Sequence, residues 1–402
     1  MSDLLSPEST PTTLDAVDGA LRGELIAFRR DLHMHPELGN QEVRTTAVLR
    51  ERLERAGLAP RVLDGGTGLI CDIRPAGAEG PLLALRADID ALPIPDTKDV
   101  PYRSTVPGRA HACGHDVHTT VVLGAGLVLA RLAGRGLLRR PVRLLFQPAE
   151  EVLPGGAQDA ITSGALTGVG RILALHCDPK VDAGRIGVRV GPITSACDRI
   201  EVTLSGPGGH TARPHLTTDL VTAAARVVTD VPALIARRAD TRSGIAVTWG
   251  RLTTGHAPNV IPQTAQLSGT MRCLDLAAWR TAPDLVHAAV DEVAALCRAK
   301  SELQYIRGVP PVVNEEESTA LLVSAMTARF GAQAVTGTEQ SLGGEDFSWY
   351  LEHVPGAMAR LGVRAPGDAS AAPRDLHQGD FDVDERAIAV GVDLLTGAAL
   401  LE

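Results

Sequence analysis

Aromatic side chains are scarce: Phe, Trp and Tyr make up 3% of the chain. Its cores must therefore be built from Leu, Val, Ile and Ala. Lysine is also scarce, and arginine supplies most of the positive charge, a feature we read as codon bias. No basic block occurs, and the formal charge at pH 7 is -9, which argues against nucleic acid as a partner. No apolar run of ~18 residues is free of charges, so no membrane span is expected. No signal peptide is visible either. Met1 to Thr13 is polar and rich in Ser, Thr and Pro, and reads as a disordered start. The six cysteines (Cys71, Cys113, Cys177, Cys197, Cys273, Cys297) lack paired spacing, which fits reduced thiols in a cytoplasmic protein. Five read as small buried hydrophobes. Cys113 alone has histidine neighbours that would favour its thiolate.

What the chain does have is length, 402 residues, and an apolar fraction of 44%, enough for two domains or one with a large insertion. Val17, Leu21, Leu25, Phe28 and Leu32 recur at helical spacing, and a second amphipathic helix is expected over 41–56. Three strands read as continuous apolar runs, over 82–87, 142–146 and 172–175. Such runs are buried on both faces, as in parallel sheets. Chemistry follows each: Asp88 and Asp90 after the first, Glu150 and Glu151 after the second, His176 after the third. Active sites of α/β sheets lie at the carboxyl ends of strands. The fold class expected is therefore α/β, a mostly parallel sheet with helices on both faces. After Gly184 the pattern changes to alternating strands and two helices in the order β-α-β-β-α-β, a ferredoxin-like arrangement. Residues 191–311 are expected to form an inserted α+β lid between two parts of a catalytic domain, 1–190 and 312–402.

The densest chemistry is His111-Ala112-Cys113-Gly114-His115-Asp116-Val117-His118, expected in a loop before a helix at Val121 to Leu132. Thiolate and imidazole are preferred ligands of zinc and similar metals. Glu150 and Glu151 are adjacent on a turn, where neighbouring side chains diverge. One can hold a metal while the other takes a proton from activated water. The bland alternatives are a polar surface loop and a solvated acidic turn.

Five motifs occur in order: Leu85-Arg86-Ala87-Asp88-Ile89-Asp90-Ala91-Leu92-Pro93, the Cys113 cluster, Gln147-Pro148-Ala149-Glu150-Glu151, Gly343-Gly344-Glu345-Asp346-Phe347 and Leu376-His377. The ordered set resembles the amidohydrolase family of hippurate hydrolase, N-acyl-L-amino acid amidohydrolases and auxin-conjugate hydrolases. That family sits within the di-metal peptidases that include aminoacylase and carboxypeptidase G. The resemblance runs from Arg29 to Phe381. It implies two divalent metal ions, with Zn, Mn, Co and Ni all open. The implied ligands are Cys113 (bridging), His115, Glu151, His176 and His377, with Glu150 as general base and acid. Asp88 and Asp90 would steady ligands from behind. The resemblance further implies that His210 stabilises the oxyanion and that Asn259 and Arg272 hold the substrate carboxylate. The residues after His176 and His377 depart from the family's commoner neighbours, which leaves the pocket wall open. The implied substrate is a small N-acyl amino acid, and the implied assembly a homodimer through the lid's sheet edges. His33, His35, His118 and Glu345 receive no chemical role at this stage. Three alternatives stay open: a dipeptidase or carboxypeptidase of the same fold, a non-catalytic metal-binding scaffold, and a thiol enzyme using Cys113.

Overall fold

The structure, a computed structural model, describes residues 18–367 and 374–402. The polar start, 1–13, lies outside these residues. Two helices open the described chain, Gly19–Met34 and Val43–Arg55.

Every residue of strands Leu82–Asp88 and Val142–Gln147 is buried. Leu83, Leu85 and Ala87 join one apolar cluster and Leu82 and Ala84 another, so both faces are covered. That is the burial a parallel sheet demands. Eight strands form the sheet, in the order Arg61–Val62, Leu69–Ile73, Val142–Gln147, Leu82–Asp88, Val169–Asp182, Gly356–Arg364, Ile186–Val188, Val335–Gly337. The four in the middle of this order, 142–147 to 356–364, run parallel. Helices His115–Gly134, Arg386–Leu401, Gly19–Met34 and Glu316–Phe330 cover one face, while Ala157–Thr162 and Ser348–Leu351 lie on the other. Helix His115–Gly134 is long and apolar enough to cross a membrane. Its residues from His115 to Leu129 are all buried, as a core helix requires.

A second sheet is antiparallel, in the order Ala246–Thr254, Thr264–Cys273, Ala196–Ser205, Lys300–Val309. In Ala196–Ser205 buried positions alternate with more open ones, the mark of a sheet with one covered face. Helices Leu220–Arg238 and Leu276–Leu296 supply that cover and share an apolar cluster of their own with the strands. Chain order and strand order together are ferredoxin-like.

Two boundaries differ from expectation. The third apolar strand does not stop before His176. It runs Val169–Asp182, because Gly356–Arg364 continues to pair beside it past Leu361↔Cys177. The helix expected from Val121 starts at His115. Its first turn carries His115, Asp116 and His118, polar side chains that are nevertheless buried, so hydrophobic periodicity could not reveal them. Gly114 initiates that helix with φ of 84°. A Cβ there would stand 2.7 Å from Cys177 Sγ, so only glycine fits.

Candidate metal centre and active site

The parallel strands bring their carboxyl ends, with Asp88 and Gln147, to the first turn of helix His115–Gly134. His115 and His118, three apart on this helix, share a face. Their partners give them different roles. His115 Nδ1 lies 3.0 Å from the Asp90 carbonyl and 3.2 Å from its carboxylate, so this nitrogen carries a proton and Nε2 is the one turned to the cluster, where a metal ion would displace its proton. That Nε2 is buried without a hydrogen-bond partner. Asp88, Glu151 and Glu150 oxygens surround it at 3.8, 3.9 and 4.0 Å. His118 has no nitrogen to spare. Its Nδ1 donates to Asp88 at 2.6 Å, and its Nε2 accepts from the Cys177 N–H at 2.7 Å. It fixes the helix to two strands.

His176 donates from Nδ1 to the Cys177 carbonyl at 2.8 Å, and its Nε2 stands 3.6 Å from Cys113 Sγ. His377 has φ of 62°, and its Nε2 lies 3.1 Å from Glu151 Oε1. Two donor triplets result, Cys113–His115–His176 and Cys113–Glu151–His377, in each of which the ligand atoms lie within 4.8 Å of one another. Cys113 belongs to both. Glu150 forms a third such group with His115 and Glu151. Asp90 ties the set together, since its other oxygen accepts from the Glu151 N–H at 2.9 Å.

The field in this cluster is strongly negative. Burial alone would lower the pKa of His115, but the Asp88 and Asp90 carboxylates outweigh it and raise it to about 10. Burial, then Glu345 and Glu151, push Glu150 well up. Burial and the carboxylates of Glu151 and Glu150 also hold the Cys113 thiol well above its ordinary value. This corrects the expectation that histidines favour its thiolate: the acids are the stronger neighbours, and a thiolate requires a cation. Converging lone pairs, an unpartnered imidazole nitrogen and a thiol awaiting positive charge all fit divalent ions.

His210, Asn259 and Arg272 belong to none of these groups. His210 lies on the short strand Gly209–His210, paired with Val260–Ile261, and Asn259 precedes that partner strand. Both are exposed. The Ala212 N–H donates to His210 Nδ1 at 3.0 Å. Arg272 donates to the Leu342 carbonyl, across from its own sheet.

Several residues given no role beforehand belong to the site's supports. Arg86 is fully buried and donates to Asp88, Gln147 and Asp346, with Glu345 3.1 Å away. His33 sits between Asp116 and Asp96, and Asp116 also accepts from Arg29. Glu42 accepts from the N–H of Ala149, whose φ of 57° turns the chain into Glu150. Among the described residues the His35 ring bonds only Asp31 of the preceding helix, outside the site. The signals for Glu345 and His33 were their motif-like stretches; Glu42 gave none.

A buried carboxylate beside a cluster of metal donors is the arrangement by which water is activated against an amide. The class so defined is the metal-dependent amidohydrolases and peptidases. The sequence profile of peptidase family M20/M25/M40 matches residues 84–401, and the chain belongs to that family. A Rhodococcus jostii protein named as a glutamate–cysteine ligase is 48% identical over 94% of this chain, which spans only 47% of that protein's length. The N-acetyl-L-cysteine deacetylase of Bacillus subtilis is 37% identical over 96% of this chain and 88% of its own. The crystal structure of Bacillus subtilis YXEP, described as a dinuclear metal binding peptidase of the M20 family, superposes with a TM-score of 0.83 at 33% identity, covering 96% of this chain and 98% of that one.

Proposed function

We propose that this protein hydrolyses the amide bond of N-acyl amino acids, releasing a carboxylic acid and an amino acid. The observation that carries this reading is Glu150. Among the described residues no hydrogen bond engages its carboxylate, although it stands within 4.8 Å of the His115 and Glu151 donor atoms. Such a group is free to move a proton. The deacetylase name of the Bacillus subtilis relative supports acyl amino acids as the substrate class.

Cys113, His115, Glu151, His176 and His377 would hold two divalent ions. When bound, such ions polarise an amide carbonyl and ease the ionisation of water. Glu150 takes the proton from the attacking water and returns it to the departing nitrogen. Asp90 steadies His115 and Glu151, and Asp88 steadies His118. The backbone donor on His210 Nδ1 leaves the neutral ring's proton on Nε2, free to be given to an oxyanion. Asn259 and Arg272 hold the substrate carboxylate. Residues 191–311 act as a lid, and their exposed strand edges pair two copies into a dimer. Six free cysteines support a reducing compartment, the cytoplasm.

The test is hydrolysis of N-acetyl, N-benzoyl and indole-acetyl amino acids beside free dipeptides, with chelator and with metal restored. The expected result is chelator-sensitive release from blocked amino acids. Activity on free dipeptides alone would move the protein to a peptidase reading. Hydrolysis that survives chelation would point to Cys113 as a nucleophile.

A further inference from the structure

Arg360 lies on strand Gly356–Arg364 in register with His176 on the next parallel strand. Paired positions on adjacent strands project to the same face, so its side chain shares the His176 side of the sheet. It is 7% exposed. It lines a cleft of about 720 Å³ together with Leu342 and His377, a volume suited to a small organic ligand. His377, a member of the donor cluster, stands on the wall of the cleft and places it beside that cluster.

The other buried arginines show how this protein pairs such a group. Arg29 is held by Asp116 at 2.7 Å. Arg86 is held by Asp88 and Asp346 at 2.7 and 2.8 Å. Arg143 is held by Asp72 at 2.7 Å. Among the described residues the Arg360 side chain has no hydrogen bond and no carboxylate within 4.0 Å. Burial pushes its pKa down, the opposite of the direction at Arg29 and Arg86. Acids do line the cleft, and Asp178 is the one whose charge Arg360 feels most, though none comes within 4.0 Å of its guanidinium. Asp182 pairs with Arg364, and Asp178 accepts the Lys180 backbone N–H. Glu339 and Asp375 are exposed at its rim.

A desolvated guanidinium with no protein carboxylate at ion-pair distance is a site for one brought from outside. We propose that Arg360 binds a carboxylate of the substrate in this cleft, so that the preferred substrates are acyl amino acids bearing a second acid group besides the α-carboxylate. This rests on the amidohydrolase reading above. The second carboxylate comes from either a dicarboxylic acyl chain or an acidic amino-acid side chain.

Three substrates separate these sources: N-succinyl-L-alanine, N-acetyl-L-glutamate and N-acetyl-L-alanine. With metal-loaded enzyme, kcat/KM for one of the first two should exceed that for N-acetyl-L-alanine by roughly tenfold or more. Arg360→Met should bring that ratio to about one, mainly through KM, and Arg360→Lys should keep part of it. A wild-type ratio of one or less, or one unchanged by Arg360→Met, overturns the proposal. Calorimetric titration of glutarate against its neutral diamide gives a readout without turnover. Glutarate should bind about tenfold tighter to the wild type, and Arg360→Met should remove the difference; equal binding of the two to the wild type overturns the proposal. Arg360-dependent glutarate binding with no hydrolysis of any of the three would sink the amidohydrolase reading and leave the anion site standing. Equal hydrolysis of all three would do the reverse.

Discussion

Glu151 and His210 illustrate two ways of holding a functional side chain. Glu151 follows a buried strand, its N–H is bonded to Asp90, and Asp90 in turn orients His115. His210 sits on an exposed two-residue strand, and among the described residues its ring is held by one bond, from Ala212 within its own loop. The first is fixed before any substrate arrives, within a network that reaches Arg86, Asp346 and Gln147. The second is oriented but not delivered. Groups that must concentrate charge are built into the rigid sheet. The oxyanion donor proposed here is left on an element free to approach the substrate.

The sharpest way to break this comparison is at Glu150. Glu150→Gln should lower kcat by roughly a thousandfold, within the range for loss of a general acid–base, while bound metal is retained. A variant with near wild-type kcat would remove the proton-transfer role. On the lid side, His210→Ala should lower kcat by roughly a hundredfold, as loss of an oxyanion donor does, with thermal stability unchanged because the ring is exposed. Stability falling together with activity would show that His210 supports the fold instead.

A smaller effect is expected from Glu42, which braces the Glu150 turn. Its burial raises its pKa from 4.5 to about 7. The folded protein therefore binds this proton more tightly than the unfolded chain does. The stability it contributes is full below pH 4.5 and is lost as pH rises through 7. Thermal melts of metal-stripped wild type and Glu42→Gln should diverge in favour of the variant between pH 4.5 and 7, then run parallel. Curves parallel throughout would mean that Glu42 does not titrate in this window.

The same contrast explains what could be read from the chain. Strands 82–88 and 142–147 were legible because burial on both faces leaves an unbroken apolar run. The ferredoxin-like order was legible because one-sided burial leaves alternation. Of the donors now found together, Cys113, His115, Glu151 and His377 were legible in ordered motifs and His176 at the end of an apolar strand. Their convergence was not, since Cys113 and His176 are 63 residues apart and meet only through strand order. His118 illustrates the limit best. It is as motif-like as His115, yet both its nitrogens are consumed, by Asp88 and by the Cys177 N–H, and no spacing rule shows that. Arg360 was hidden differently, because an arginine within an apolar strand declares its burial but not its lack of a partner. Glu42 reads as an ordinary residue of an amphipathic helix until the Ala149 turn is seen against it.

The central claim is that one thiol serves two donor triplets, and counting metal tests it most directly. Dialysed, metal-loaded protein should hold two divalent ions per chain by elemental analysis. His176→Ala should retain one, and Cys113→Ala should lose tight binding of both. A Cys113→Ala protein that still holds two ions, or a wild type that holds only one, would contradict the account.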